Sequence, residues 1–274
     1  MTATTNRETH SATETPADNG PLTPSRARDG LTVRLVGLGG VGSIVARFVS
    51  IFLAALQCDV RLILIEGDHF EPQNATRMLF RSCGNKAEVV QADLLDHFAD
   101  SRLTLMAISE FITPQNIATL LPGGEDEVIF LCVDNHATRK LISDHCEGLD
   151  NICLISGGND GVGKDSTGTM RRGSYGNCQV YIRRGAADVS PSLTAFHDEI
   201  KNPTDQLPDD QHCTDLVDSV PQLLFANLAT ASAICNTFLL YLCDRLHYSE
   251  VGFDIVDARM RPLGIPAPVW QETE

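Results

Sequence analysis

Leu31-Thr32-Val33-Arg34-Leu35-Val36, followed by Gly37-Leu38-Gly39-Gly40-Val41-Gly42, is the stretch on which the fold turns. The first six residues are a short, β-branched apolar run that reads as a buried strand. Beyond the glycines, Ser43 to Leu56 is apolar on most faces and reads as a helix. Strand, glycine turn and helix in that order put backbone N–H groups at a helix start with no β-carbons to shield them. A phosphate binds at such a place.

Working outward, Val60 to Ile65 reads as a second buried strand, Lys86 to Phe98 as an amphipathic helix and Leu103 to Ile108 as a third strand. Pro114 to Leu121 reads as a short helix opening on proline. Val128 to Val133 and Ile152 to Ile155 are two further β-rich runs, with a helix over Ala137 to Cys146 between them. This alternation predicts an α/β fold, a Rossmann-like, doubly wound and mostly parallel sheet, with a less regular second half. Gly157 to Ser174 reads as a loop, Cys178 to Arg183 as a strand, and Gly252 to Val256 as the last strand. Residues 185 to 221 hold four prolines and many acids without periodicity, the pattern of a long loop. Leu223 to Cys243 approaches membrane-span length, but Asn227, Thr230, Ser232, Asn236 and Thr237 in its middle predict a buried core helix.

Composition narrows the function classes. The chain has 274 residues, is 43% apolar and carries a formal charge of −15, which argues against nucleic acid or an anionic membrane as a broad electrostatic partner. A local basic spot remains at Arg171, Arg172, Arg183 and Arg184. The nine cysteines include no C-x-x-C pair, so neither a disulfide framework nor a zinc ribbon is indicated, and reduced thiols in the cytoplasm are the expectation. Residues 1 to 29 are rich in Thr, Ser, Pro and Asn, have no apolar leader, and are expected to be a disordered tail.

The glycine motif also fits a dinucleotide site, and Glu66, ending the second strand, stands where an acid bonds a ribose hydroxyl. A nicotinamide-dependent oxidoreductase is therefore an open alternative. Asp68, Asn74, Arg77 and Lys86 follow within one segment, however, and Asp134 closes the fourth strand at the sheet edge where such folds bind ligands. A triphosphate needs that set: cations for its charge and a carboxylate to hold magnesium. Gly158 to Lys164 imitates the start of a phosphate loop, but Asp165 stands where Ser or Thr is required. His145-Cys146 hints at metal, yet it lacks further ligands and reads as part of a packed helix.

These residues, in this order, resemble the ThiF/MoeB and ubiquitin-activating-enzyme superfamily of adenylyltransferases. The glycines Gly37, Gly39, Gly40 and Gly42, then Glu66 and Asp68, Asn74 to Arg77, Lys86, and Asp134-Asn135 to Arg139 match its motifs over roughly Leu31 to the C-terminus. The resemblance implies one ThiF-like adenylation domain over residues 30–274, with 185–220 as a crossover loop. It implies that Glu66 and Asp68 meet the ribose side, that Asn74, Arg77 and Lys86 meet phosphates, and that Asp134, beside Asn135, holds magnesium. It implies that ATP activates the C-terminal carboxylate of a ubiquitin-like or sulfur-carrier protein, that the enzyme is a homodimer, and that a conjugating or sulfur-transfer protein acts downstream.

Two departures stand out: Glu66 replaces the usual Asp, and the missing C-x-x-C pairs imply a zinc-free member. Arg26 and Arg28 are candidates for the arginine that relatives lend across a dimer. Cys213, within His212-Cys213-Thr214 of the long loop, stands where thioester-forming relatives carry their nucleophile. Two alternatives stay open beside the oxidoreductase: adenylation of a small carboxylate such as a modified tRNA nucleoside, and a non-catalytic module that recognises a carrier.

Overall fold

The computed structural model describes residues 20–72, 75, 78–164, 168–208 and 222–263. The first half follows the periodicity closely: β1 Thr32–Val36, α1 Gly42–Ala55, β2 Val60–Ile65, the short pair β3 His69–Phe70 and β4 Gly84–Asn85, α2 Lys86–Phe98 and β5 Leu103–Ile108. Then come α3 Ile117–Leu120, β6 Glu127–Leu131, α4 His136–Glu147 and β7 Ile152–Asn159. The second half adds β8 Val162–Lys164, β9 Met170–Arg172, β10 Tyr175–Arg184, β11 Ala187–Asp188, α5 Asp198–Lys201, α6 Leu224–Leu242, β12 Glu250–Asp254 and β13 Arg259–Leu263.

The main sheet runs β13-β12-β10-β7-β6-β1-β2-β5, with β11 on β10. From β7 to β5 every pairing is parallel; β10, β12 and β13 are antiparallel additions. The chain leaves β1 toward β2 and β5, then returns to place β6 on the other side of β1. That reversal opens a crevice beyond the C-terminal ends of β1 and β6, the position where open α/β sheets take ligands. Helices cover both faces. Leu35, Leu62, Leu64 and Phe130 pack toward α1, α2 and α6, whereas Ile63, Ile129, Leu131 and Leu154 pack toward α3 and α4.

Four expectations change. The predicted helix from Pro114 shrinks to α3, because Asn116 Oδ1 accepts from Thr113 N at 2.8 Å and its Nδ2 donates to Phe111 O at 2.9 Å, which bends the chain into a turn first. The loop predicted for 157–174 is mostly strand: β7 continues through two glycines, and β8 and β9 form an antiparallel pair. A β-carbon on Gly157 would press into Ile234, and one on Gly158 into the Arg139 guanidinium, so packing selects glycine there. The long loop contains β11 and α5, and β13 was not anticipated. The imitation phosphate loop falls in β7 and β8, and among the described residues no helix follows it before β9.

α6 is long and apolar enough to cross a membrane, but it packs on β7, β10 and α1 with Asn227, Thr230 and Thr237 buried, as a core helix does. Residues 1–19 of the predicted tail lie outside the described residues. Residues 20–29 make defined contacts: Arg26 N donates to Leu242 O at 3.0 Å, its guanidinium pairs with Asp244 and lies 5.1 Å from the Tyr241 ring, and Arg28 bonds Asp126 at 2.5 Å.

Candidate functional site

A cleft of about 940 Å³ opens at the crevice beside β1 and β6. It is lined by Gly37, Gly39, Gly40, Glu66, Asp68, Lys86, Asp134 and Asn135, eight of the predicted residues. Gly42 lies just behind the wall, where a β-carbon would overlap the carbonyl oxygen of Gly37. Gly37 itself has φ +90° and sits against the Cys132 backbone, so the tight turn and the close strand–helix approach each require glycine. Gly39 has open space where a β-carbon would stand, so a ligand can approach its backbone closely, while its carbonyl accepts from Ser43 N at 3.1 Å.

The loop is braced by an acid. Glu66 Oε2 accepts from Leu38 N at 2.8 Å, and its Oε1 accepts from Asp68 N at 3.1 Å. Asn85 Oδ1 caps α2 by accepting from Ala87 N at 2.9 Å, while its Nδ2 donates to Glu66 O at 2.7 Å. This one carboxamide therefore fixes the start of α2 to the end of β2. Lys86, the first residue of α2, is buried and pairs with the exposed carboxylate of Asp68.

The opposite wall is built by α4. Asn135 Oδ1 caps it, accepting from Thr138 N at 2.7 Å, and Asp205 accepts from His136 N and Ala137 N at 2.7 and 2.8 Å. These bonds occupy the amides of its first turn. The start of α1 has no side-chain cap and no acid in its first turn, so its positive end faces the cleft free for an anion. Asp134 is exposed beside it and makes no ion pair among the described residues. Arg139 is buried, with Nε and Nη2 donating to Val133 O at 3.1 and 2.7 Å and Nη2 also donating to Gly157 O at 3.1 Å. Burial lowers its pKa from the usual guanidinium value.

Asn74, Arg77 and Cys213 lie outside the described residues. Their neighbours do reach the site: Glu71 and Met78 line the cleft, as do Pro208 and Gln222 on either side of residues 209–221. Arg26 and Arg28 are engaged away from the cleft by Asp244 and Asp126. The basic spot is dispersed, since Arg171 pairs with Asp160, Arg172 with Asp254 and Arg183 with Asp188, while Arg184 bonds Tyr241. His145 Nε2 bonds Leu121 O at 2.7 Å, and Cys146 is core. Among the described residues no three His, Cys, Asp or Glu side chains cluster to hold a metal.

Sequence reasoning passed over Asn85, Asp205 and any role for Arg139. Asn immediately before a helical run was a readable cap signal; Asp205, about seventy residues from the amides it caps, gave none.

A family model described as the ThiF family matches residues 26–234, more than half of the chain. The chain belongs to the ThiF family. It is 35% identical over 130 residues to Drosophila yakuba "Adenylyltransferase and sulfurtransferase MOCS3", covering 46% of this chain and 26% of that protein. It is 25% identical over 142 residues to Arabidopsis thaliana "Ubiquitin-like modifier-activating enzyme 5", covering 46% and 32%. The ThiF-family chain thus spans a quarter to a third of these relatives' lengths. Among solved structures, E. coli MccB with ATP superposes with a TM-score of 0.60 over 90% of this chain and 68% of that one, at 15% identity. MccB with N-formylated MccA gives 0.62 over 90% and 67%, at 14%. The shared α/β fold with its mostly parallel sheet is thereby established.

Proposed function

We propose that this ThiF-family protein uses ATP to adenylate the C-terminal carboxylate of a ubiquitin-like or sulfur-carrier protein. The observation that carries the reading is the cleft itself. It joins an uncapped helix start, Lys86 and Asp134, which has no ion pair among the described residues, on one side to a polar chamber along β7 and β10 on the other. Nucleotide and carboxylate can meet in that space. Relatives whose names state adenylyltransferase and ubiquitin-like modifier activation support the choice of substrate.

In this reading the glycine loop and the start of α1 hold phosphate oxygens. Lys86, joined by Asn74 and Arg77, offsets the charge that develops as a carboxylate oxygen bonds the α-phosphorus and pyrophosphate leaves. Magnesium suits the site, because it binds through one or two carboxylates plus phosphate oxygens, and Asp134 is free for it. The proposal includes no zinc. Attack of a Cys213 thiolate on the acyl carbon of the adenylate, with the acyl–phosphate bond breaking and AMP leaving, would give the carrier as a thioester. Burial supports that choice of thiol: it pushes Cys146, Cys153 and Cys178 up to about 12 and Cys235 up to about 11, far from the thiolate form. Cys83 is the exposed alternative among the described cysteines.

A homodimer completes the proposal. Phe48 and Ile51 on α1 and Phe225 and Leu228 on α6 are exposed on two helices that pack together, an apolar face suited to a second copy. The test of the activity is ATP–pyrophosphate exchange with purified ubiquitin-like and sulfur-carrier proteins. Exchange that depends on a carrier and is lost in Asp134→Ala is expected. Exchange that persists in Asp134→Ala refutes the assignment.

A further inference from the structure

Asn227, in the first turn of α6, is fully buried, yet neither its Oδ1 nor its Nδ2 has a hydrogen-bond partner among the described residues. Thr230, one turn further on, turns its hydroxyl to Ala226 O at 2.9 Å. A buried carboxamide with both ends unbonded destabilises a fold, and an apolar side chain of the same shape would cost less there. Such a group calls for a partner that another state of the molecule supplies.

What the carboxamide touches is the glycine loop. A β-carbon on Gly40 would stand 2.3 Å from Asn227 Nδ2 and 3.2 Å from its Cγ, with Gln222 Oε1 next at 3.5 Å. Glycine is required at position 40 because the carboxamide lies against its α-carbon. Gly39, Gly40 and Val41 line the cleft, whereas Asn227 is buried behind them. It can act on a ligand only through the loop backbone.

The backbone bonds of the loop single out one carbonyl. Gly39 O accepts from Ser43 N at 3.1 Å. Ile44 N, which in an unbroken helix would bond Gly40 O, donates instead to Val41 O at 3.0 Å, as does Val45 N. The first turn of α1 thus serves the carbonyls of Gly39 and Val41 and passes over that of Gly40. A rotation of the Gly40–Val41 peptide group would bring this acceptor to the orphaned Nδ2 donor. The peptide is planar and trans, so its N–H points opposite to its C=O. With the carbonyl turned back toward α6, the Val41 N–H would point into the cleft, as an amide at a helix start does when it binds phosphate.

We propose that Asn227 is a positioning residue of the nucleotide site: when ATP binds, its Nδ2 donates to Gly40 O and so holds the Val41 N–H on a phosphate oxygen. The inference rests on the reading of the glycine loop as an ATP site. Asn227 itself touches neither the nucleotide nor the reacting atoms.

The test compares the full wild-type chain with Asn227→Leu, which keeps the size of the side chain and removes both polar ends. Calorimetry with a non-hydrolysable ATP analogue and magnesium should show affinity about tenfold weaker in the variant, the loss of one hydrogen bond to a charged group. Thermal unfolding is recorded to confirm the fold. Adenosine, followed by ligand-observed NMR to reach weak binding, should bind the two proteins alike, since it has no phosphate for Val41. Analogue affinities that differ by less than about threefold overturn the proposal, being smaller than the loss of such a bond allows. Equal losses for the analogue and adenosine mark a merely structural role and also overturn it. A crystal structure of the wild type with the same analogue and magnesium decides the matter if Asn227→Leu does not fold. A distance of about 2.9 Å from Nδ2 to Gly40 O is expected there, and a separation beyond about 3.5 Å overturns the proposal. A wild type that does not bind the analogue refutes the ATP site itself and removes the proposal with it.

Discussion

Replacing Lys86 by methionine separates a catalytic cation from a structural one, because the two roles predict opposite changes. The side chain is 7% exposed, so methionine preserves most of the stem packing. Its ion-pair partner Asp68 is 58% exposed, and a pair with one member in water contributes only about 0 to 1 kcal/mol. Lys86 also opens α2, where a cation opposes the helix dipole at a cost of about 0.3 to 1 kcal/mol. The two effects nearly cancel. Lys86→Met is therefore expected to unfold within about 2 °C of the wild type, given that about 1 kcal/mol moves the midpoint of a domain this size by roughly 2 to 4 °C.

Activity should behave otherwise. If the ammonium meets phosphate charge in the transition state, its loss costs about 3 kcal/mol, on the order of a hundredfold in kcat. Thermal unfolding followed by ATP–pyrophosphate exchange, normalised to folded protein, reads both quantities. A large fall in stability with exchange per folded molecule unchanged would refute the reasoning, since Lys86 would then be holding Asp68 and α2 in place and nothing more.

Three further outcomes are expected. His197 bridges Glu250 and Glu199, and the bond to Glu250 above all raises its pKa to about 8, so its stabilisation is present below about pH 6.5 and lost as pH rises through 8. Chemical denaturation at intervals across that window should show about 1 to 2 kcal/mol of lost stability in the wild type and a flat profile in His197→Gln. Gly42→Ala should abolish nucleotide binding measured by calorimetry while α1 and the sheet persist by circular dichroism, because the new methyl overlaps Gly37 O and forces the loop open. Paired Phe48→Asp and Phe225→Asp changes should turn a sedimenting dimer into monomer; an unchanged sedimentation coefficient would discard the apolar face as the contact.

What could be read in the sequence was what local chemistry dictates. The boundaries of β2, α2 and β5 coincide with their apolar patterns because each element buries one side against neighbours close in the chain. The glycine loop was legible for a similar reason: its turn and its close helix packing are short-range demands. The strand through Gly157 and Gly158 was not, since glycine reads as a breaker until Ile234, Arg139 and the partner strand β10 are in place to require it. The β8–β9 pair was hidden in the same way, by short strands rich in turn residues.

The candidate site divides along this line. The motif residues keep their type in recognisable spacing, so Glu66, Lys86 and Asp134 could be named and do border one cleft. Side chains that hold those groups in place are chosen by partners distant in sequence. Asp205 closes the start of α4 from across the strap that follows β11, and by taking those amides it leaves α1 as the helix start beside Asp134 that is free for phosphate. The orientation of the cleft is thus set as much by which helix ends are filled as by which motif is present. Gln179 belongs with these long-range choices: in the sequence it is one polar residue in an alternating strand, and only the fold shows it buried opposite Ser156, on the face that the Arg139 guanidinium reaches.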